Sequence, residues 1–247
     1  MGRLAITCGH SLLAPDLTST VFPARARRRP AHGPEGAVTA LDAGEYLVLP
    51  RHGLDCYVPP HLVDHARNLG ALQAAGCDRV LAIGSVGALR TDLPVGTVVV
   101  PDDFIALDQP PVAVYDDARG HVIAGFTPDW RARVLDAWSR ASASSAMGAV
   151  VDGGVYWQTS GPRFETRAEI RLLAQHADVV GMTVASECTA ANQLGMAYAA
   201  VCVVDNLANG IGEGDVAEEF AAGKLQNQER LIATLEVVAP ELATGVA

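Results

Sequence analysis

The chain has 247 residues, 49% hydrophobic and 19% charged, which supports a large buried core and excludes disordered or collagen-like readings. Its formal charge of −10 argues against a nucleic-acid surface, which needs clustered Lys and Arg, and favours small-molecule chemistry. There is no run of about 18 apolar residues, and "MGRLAITCGHSLL" lacks the apolar core and cleavage site of a signal peptide, so a cytoplasmic protein without a membrane partner is expected.

In chain order, short β-branched apolar runs alternate with helical stretches. The strand candidates are "RLAIT", "EYLVLP", "RVLAIG", "GTVVVP", "AVVDGGVYW", "VVGMT" and "AYAAVCVVD". The helix candidates are "PHLVDHARNLGALQAAG", ending at the C-cap candidate Gly76, then "TPDWRARVLDAWSRA", "TRAEIRLLAQH", "SECTAANQLG" and "VAEEFAAGKLQNQERLIATLEVV". This alternation predicts an α/β fold, a central mixed, twisted sheet flanked by helices. No repeat or linker divides the chain, so residues 1–247 read as one domain. Residues 14–45, rich in Pro, Arg and Gly, read as a loop with one irregular hairpin, and "ALDQPPVAVYDDARGH" as a second excursion; long loops in a compact domain are often functional.

The five cysteines have no CxxC spacing and fit reduced thiols, and the seven histidines form no HExxH cluster, so no metal is expected. Four features fall at strand ends, where open α/β sheets place their ligands: "TCGHSLL", "PRHG", "AIGSVGALR" and "VVDNLANG". Each is weak alone. Glycines in strand-to-helix turns are commonly plain geometry, and a surface Arg is commonly just solvated, yet Arg51 beside His52 also has the composition of a phosphate fork. In "SGPRFETRAE", Thr166 and Glu169 fit a capping box, which leaves Glu165 without an assigned task.

The order "RHG", "GCDRVLAIGSVGALR", "LPVGTVVVPDDFI", "SGPRFETRAE", "DVVGMTVASE" and "VVDNLANG" closely resembles the trimeric purine nucleoside phosphorylase and methylthioadenosine phosphorylase family, over nearly the whole chain. The resemblance implies phosphorolysis, in which inorganic phosphate attacks the anomeric carbon of a purine nucleoside and releases the base and a ribose 1-phosphate. No cofactor is implied beyond phosphate as co-substrate. It places Ser11, Arg51, His52, Ser85 and Thr183 on phosphate, Met182 and Phe164 on ribose or base, and Glu165 and Asn206 on the purine as catalytic residues. A carboxylate at Glu165 accepts the N1 proton of a 6-oxopurine and repels a 6-aminopurine, while the Asn206 amide meets N7 and O6. The methylthioadenosine branch carries Ser and Asp at these positions.

Val216 stands where the family has a His for the 5′-hydroxyl, which favours an apolar 5′ substituent such as a methylthio group. His121 corresponds to a residue donated across the subunit interface of a homotrimer. Four positions depart from the family pattern. His10 and Ser11 replace a hydroxyl residue and a Gly in the first loop, which leaves phosphate to Ser11 from a rearranged loop or to a protonated His10; Cys56 replaces a His; Asp205 replaces a Thr. The rival readings are a methylthioadenosine-type phosphorylase and a catalytically silent nucleoside-binding protein.

Overall fold

The computed structural model describes residues 2–244, apart from 13, 15–20, 24, 25, 55, 145 and 146. Its strands are β1 (Arg3–Cys8), β2 (Arg27–Gly33), β3 (Gly36–Asp42), β4 (Tyr46–Pro50), β5 (Cys77–Ala88), β6 (Val98–Val100), β7 (Asp103–Ile105), β8 (Val150–Asp152), β9 (Val155–Gln158), β10 (Val179–Gly181) and β11 (Ala197–Leu207). The helices are α1 (His65–Ala74), α2 (Pro128–Ser144), α3 (Arg167–Leu173), α4 (Val184–Gln193) and α5 (Val216–Thr244). All strands join one mixed sheet, ordered β2-β3-β4-β1-β5-β10-β9-β7, with β11 joining β5 to β6 and β6 joining β8.

The sheet is buried on both faces, as mixed α/β sheets with helices on each side are. Alternation along the strands sorts the side chains. Leu4 and Ile6 of β1 and Val201 and Val203 of β11 pack with Trp138 of α2 and Leu235 of α5. Ala5, Ala200 and Cys202 point the other way, into a core with Leu69 of α1 and Cys188 of α4. A smaller cluster sets Ile170 and Leu173 of α3 against Trp157.

Local chemistry explains where the observed elements differ from the expected ones. The first helix candidate divides into a 3-10 turn at Pro60–Leu62 and α1, because the Asp64 side chain accepts from the Arg67 amide and starts a new helix. "AVVDGGVYW" divides into β8 and β9 at Gly153 and Gly154, whose φ of 91° and 113° break the extended run. The expected irregular hairpin is a regular one, β2 and β3 in unbroken register from Arg27↔Asp42 to Gly33↔Gly36; the preceding loop lies partly outside the described residues. Strand β7 has only three residues and no alternation to betray it, and is made by parallel pairing with β9.

Two irregularities position the site. On one edge β5 pairs with β1 as far as Cys8↔Ile83, then with β10 at Val180↔Gly87, so the edge is unpaired between, at Ser85. On its other edge β11 runs in register through Val204↔Val86, then resumes at Asn206↔Gly87, which makes Asp205 a bulged residue. Bulges re-aim side chains, and this one turns Asp205 toward Ser85.

Candidate active site

The opening beside Ser85 is the floor of a cleft walled by Gly9 and His10 after β1, Arg51 and His52 after β4, Met182 and Thr183 after β10, and Asn206. The loops after β1 and β4 follow the C-terminal ends of parallel strands, the usual ligand position in such sheets, while that after β10 follows a strand antiparallel to β5. Phe164, Glu165 and Val216 complete the wall, so all the sequence-derived base, ribose and phosphate residues except Ser11 line one cleft.

At the base end, Thr166 and Glu169 form the capping box of α3 in full. Glu165 takes no part in it. Its side chain is buried, with Oε1 accepting from Thr159 Oγ1 at 2.5 Å, and its backbone carbonyl accepts from Asn209 Nδ2 at 2.9 Å. Oε2 has no partner among the described residues and is available to a ligand. Asn206 Nδ2 donates one hydrogen to the Leu207 carbonyl at 2.8 Å and keeps a second. Gly161, at φ 64°, is required here: a Cβ would stand 2.5 Å from Met182 Sδ.

At the opposite end Arg51 is almost fully engaged. Nε and Nη2 donate to Glu187 at 2.9 and 3.2 Å, Nη2 also to Thr7 Oγ1 at 3.0 Å, and Nη1 to the Ile83 carbonyl at 2.9 Å. A guanidinium has five N–H donors, so one Nη1 hydrogen is left for the cleft. The fork expected to clasp a ligand therefore clasps Glu187, and Arg51 offers the cleft a single donor. Burial pushes the Glu187 carboxyl up, but the charge and hydrogen bonds of Arg51, with His65 and Thr7, outweigh it and hold it below the usual range. Thr183 caps α4 without using its hydroxyl, since the first amides of the helix donate to the Tyr156 hydroxyl and the Ser186 amide to Gln158. Thr183 itself lines the cleft.

Ser85 donates to Asp205 Oδ2, and Ser11 donates to the same oxygen at 3.3 Å. Asn227 of α5 donates to Oδ1 at 2.8 Å. Ser11 is thus a buried prop behind the cleft, not part of its wall, because the 3-10 turn at His10–Leu12 carries it inward to Asp205. Burial raises the Asp205 pKa, against the hydrogen bonds of Ser85, Asn227 and Ser11 and the charge of Lys224.

His10 lines the cleft and is a neutral imidazole in the free protein. Burial, then the charges of Lys224 and Arg51, lower its pKa to about 4, and Nε2 shares a 2.8 Å hydrogen bond with the Tyr57 hydroxyl. His52 is lowered to about 3, mainly by burial and by His10, and its Nδ1 lies 2.8 Å from the Val58 carbonyl. Cys56 is exposed beside a separate surface cleft. His121 is exposed and away from the cleft of its own chain.

Three contributors escaped the sequence reading. Phe220 lines the cleft four residues after Val216, hence on the same helical face, and packs on Phe164 and His10. Its i, i+4 spacing was the available signal. Glu187 lies among the apolar residues Val184, Cys188 and Ala191 of α4, where an acid requires a partner. Tyr57 had no such signal.

The comparisons agree with this geometry. The family model described as "Phosphorylase superfamily" matches residues 3–239. The chain belongs to this superfamily. It is 40% identical over 174 residues, 70% of each chain, to a probable 6-oxopurine nucleoside phosphorylase of Archaeoglobus fulgidus. It is 38% identical to a probable S-methyl-5′-thioinosine phosphorylase of Methanosarcina acetivorans, covering 74% of this chain and 70% of that one. An S-methyl-5′-thioadenosine phosphorylase of Mycolicibacterium smegmatis is 36% identical, covering 85% and 82%. The fold matches that of the methylthioadenosine phosphorylase of Schistosoma mansoni in complex with adenine, with a TM-score of 0.78 at 23% identity, covering 98% of this superfamily member and 93% of the other chain.

Proposed function

We propose that this phosphorylase-superfamily protein catalyses phosphorolysis of 6-oxopurine nucleosides, with inorganic phosphate as co-substrate and no further cofactor. The observation that carries the reading is the base end of the cleft: a buried Glu165 with a free Oε2, beside an Asn206 amide with a hydrogen to spare. Glu165 accepts from N1–H of hypoxanthine or guanine. Adenine presents a lone pair there, so the same carboxylate rejects it, and buried polar sites can discriminate by about 10⁴ on such grounds.

A phosphate oxygen attacks C1′ while the C1′–N9 bond breaks and its electron pair moves onto the purine. Asn206 donates to N7 or O6, where that charge collects, in a water-poor site in which a fixed donor counts most. Phosphate is held by the free Nη1 hydrogen of Arg51 and the Thr183 hydroxyl at the α4 N-terminus. Met182 and Phe164 meet the sugar, and Val216 and Phe220 give its 5′ end an apolar wall suited to a methylthio group.

His121 fits a role in a neighbour's site, and we take the active form to be a homotrimer. No described helix is long and apolar enough to cross a membrane, and a cytoplasmic purine-salvage role accords with this chemistry. The deciding assay measures phosphate-dependent base release from inosine, 5′-methylthioinosine and 5′-methylthioadenosine. Release from the first two is expected; release from the third alone would replace this reading with the 6-amino one.

A further inference from the structure

Ser85 lies on the open edge of β5 and is the hydroxyl at the floor of the cleft. A hydroxyl has one hydrogen, and Ser85 gives it to Asp205. Ser11, the other hydroxyl on Asp205, gives its hydrogen to the same carboxylate. Toward the cleft Ser85 therefore presents lone pairs only. A fully deprotonated phosphate oxygen also presents only lone pairs, so the two repel unless a proton lies between them.

The charge around this end points the same way. Arg51 is paired with Glu187, and Lys224 of α5 is the cation that acts on Asp205. The two cations are thus balanced by two carboxylates, and His10 and His52 add no charge in the free protein. Among the described residues, the other elements against β11 offer Asp205 no compensating ion: β6 pairs through Val98 and Val99, and α2 contributes Trp130, Val134 and Trp138 to the core beside Val201 and Val203. The site offers a dianion no net positive charge.

We propose that Asp205 makes this subsite bind phosphate together with one proton, held on the Asp205–Ser85–phosphate chain. The proton has two equivalent places. On Asp205, the carboxyl donates to Ser85 Oγ and the Ser85 hydrogen swings to phosphate; on phosphate, its P–OH donates to Ser85 Oγ. Either way one proton enters from solvent for each dianion bound. The bulge at Asp205 and the Asn227 hydrogen bond keep the carboxylate aimed at Ser85. The inference rests on the phosphorolysis reading, and makes Asp205 a positioning residue that never touches the nucleoside.

The test is calorimetric titration of inorganic phosphate, and of sulfate as the permanent dianion, in two buffers of different ionisation enthalpy near pH ~8, where uptake of about one proton per phosphate is expected. Phosphate affinity should fall about tenfold per pH unit on the alkaline side, the slope of one linked proton. Asp205→Asn can donate to Ser85 and free its hydrogen, so proton uptake should fall to near zero for phosphate and sulfate alike. Should that variant not fold, Ser85→Ala interrupts the same chain and should likewise remove the uptake. Phosphate binding by wild type without proton uptake would overturn the linkage, as would uptake that survives Asp205→Asn and vanishes in His10→Ala. Absence of phosphate-dependent base release would instead remove the phosphorolysis reading, so the two failures are distinct.

Discussion

Glu187 grips Arg51 through both Nε and Nη2 with each side chain 1% exposed, and Thr7 and Tyr198 donate to the same carboxylate. The pair fixes the one guanidinium hydrogen that reaches the cleft, and removing one member of such a pair leaves an uncompensated buried charge. Glu187→Ala should lower stability by about 3–5 kcal/mol. Glu187→Gln keeps the shape but not the charge, and should cost less stability while freeing Arg51 to bind anions. Urea denaturation of both variants checks the first expectation. A lower KM for phosphate in Glu187→Gln checks the second, and an unchanged one would mean that Arg51 does not reach phosphate.

Glu165 and Glu169 stand four residues apart with separable tasks. Glu165→Gln removes the acceptor for N1–H and should cost about 2–4 kcal/mol of transition-state stabilisation with inosine, roughly thirty- to thousand-fold in kcat/KM. Thr166→Ala removes the cap of α3 and should cost about 1 kcal/mol of stability with little change in kcat/KM. Steady-state kinetics paired with thermal melts separate the two. Unchanged inosine turnover in Glu165→Gln would end the assignment of the base end.

The 5′ wall of Val216 and Phe220 predicts a preference for 5′-methylthioinosine over inosine. Phe220→Ala should lower kcat/KM for the methylthio substrate by about 10- to 200-fold, the range for small apolar pocket contacts, with a smaller effect on inosine. Val216→His should shift the preference toward the 5′-hydroxyl. Equal losses on both substrates in Phe220→Ala would assign the ring to the fold of α5 instead.

What could be read from sequence divides along physical lines. Strands β1, β5 and β11 were legible as continuous apolar runs, because a sheet buried on both faces makes its strands apolar throughout, and α2 and α5 as long helical stretches. The cleft residues were legible through short motifs at strand ends. Two kinds of feature were not. One is direction: nothing in "PRHG" says that the Arg51 fork turns to Glu187, 136 residues away. The other is local irregularity: the bulge that aims Asp205 at Ser85 depends on register between strands remote in sequence, and the 3-10 turn at His10–Leu12 carries Ser11 inward to that carboxylate.

Ile123 is fully exposed in the single chain, Val122 is 38% exposed, and both adjoin His121. Apolar side chains presented this way favour coverage by another subunit. Light scattering at micromolar protein should report a trimer. Ile123→Asp should dissociate it and lower activity without changing far-UV circular dichroism, and His121→Ala should lower kcat/KM in an intact trimer. A fully active monomer would refute both the assembly and the role of His121.

The buried His52 and His65 and the half-buried His10 predict acid sensitivity. Burial is the largest cause in each case, lowering His10 to about 4, His52 to about 3 and His65 to about 4 from an ordinary value of 6.5. Below 6.5 the unfolded chain takes up these protons and the folded one does not. Their contribution is therefore full above 6.5 and is lost as pH falls toward the folded values, by up to about 1.4 kcal/mol per pH unit for each histidine. Glu187, held below its ordinary 4.5, loses its contribution only at lower pH, so the interval from 6.5 to 4.5 isolates the histidines. Asp205, raised by burial, acts in the opposite sense, one group against three. The urea midpoint should fall steadily from pH 6.5 to 4.5, and His65→Leu, which replaces a ring whose Nδ1 is buried without a partner, should flatten the slope by about one proton. A midpoint constant across that interval would show that the folded protein accepts these protons as readily as the unfolded chain.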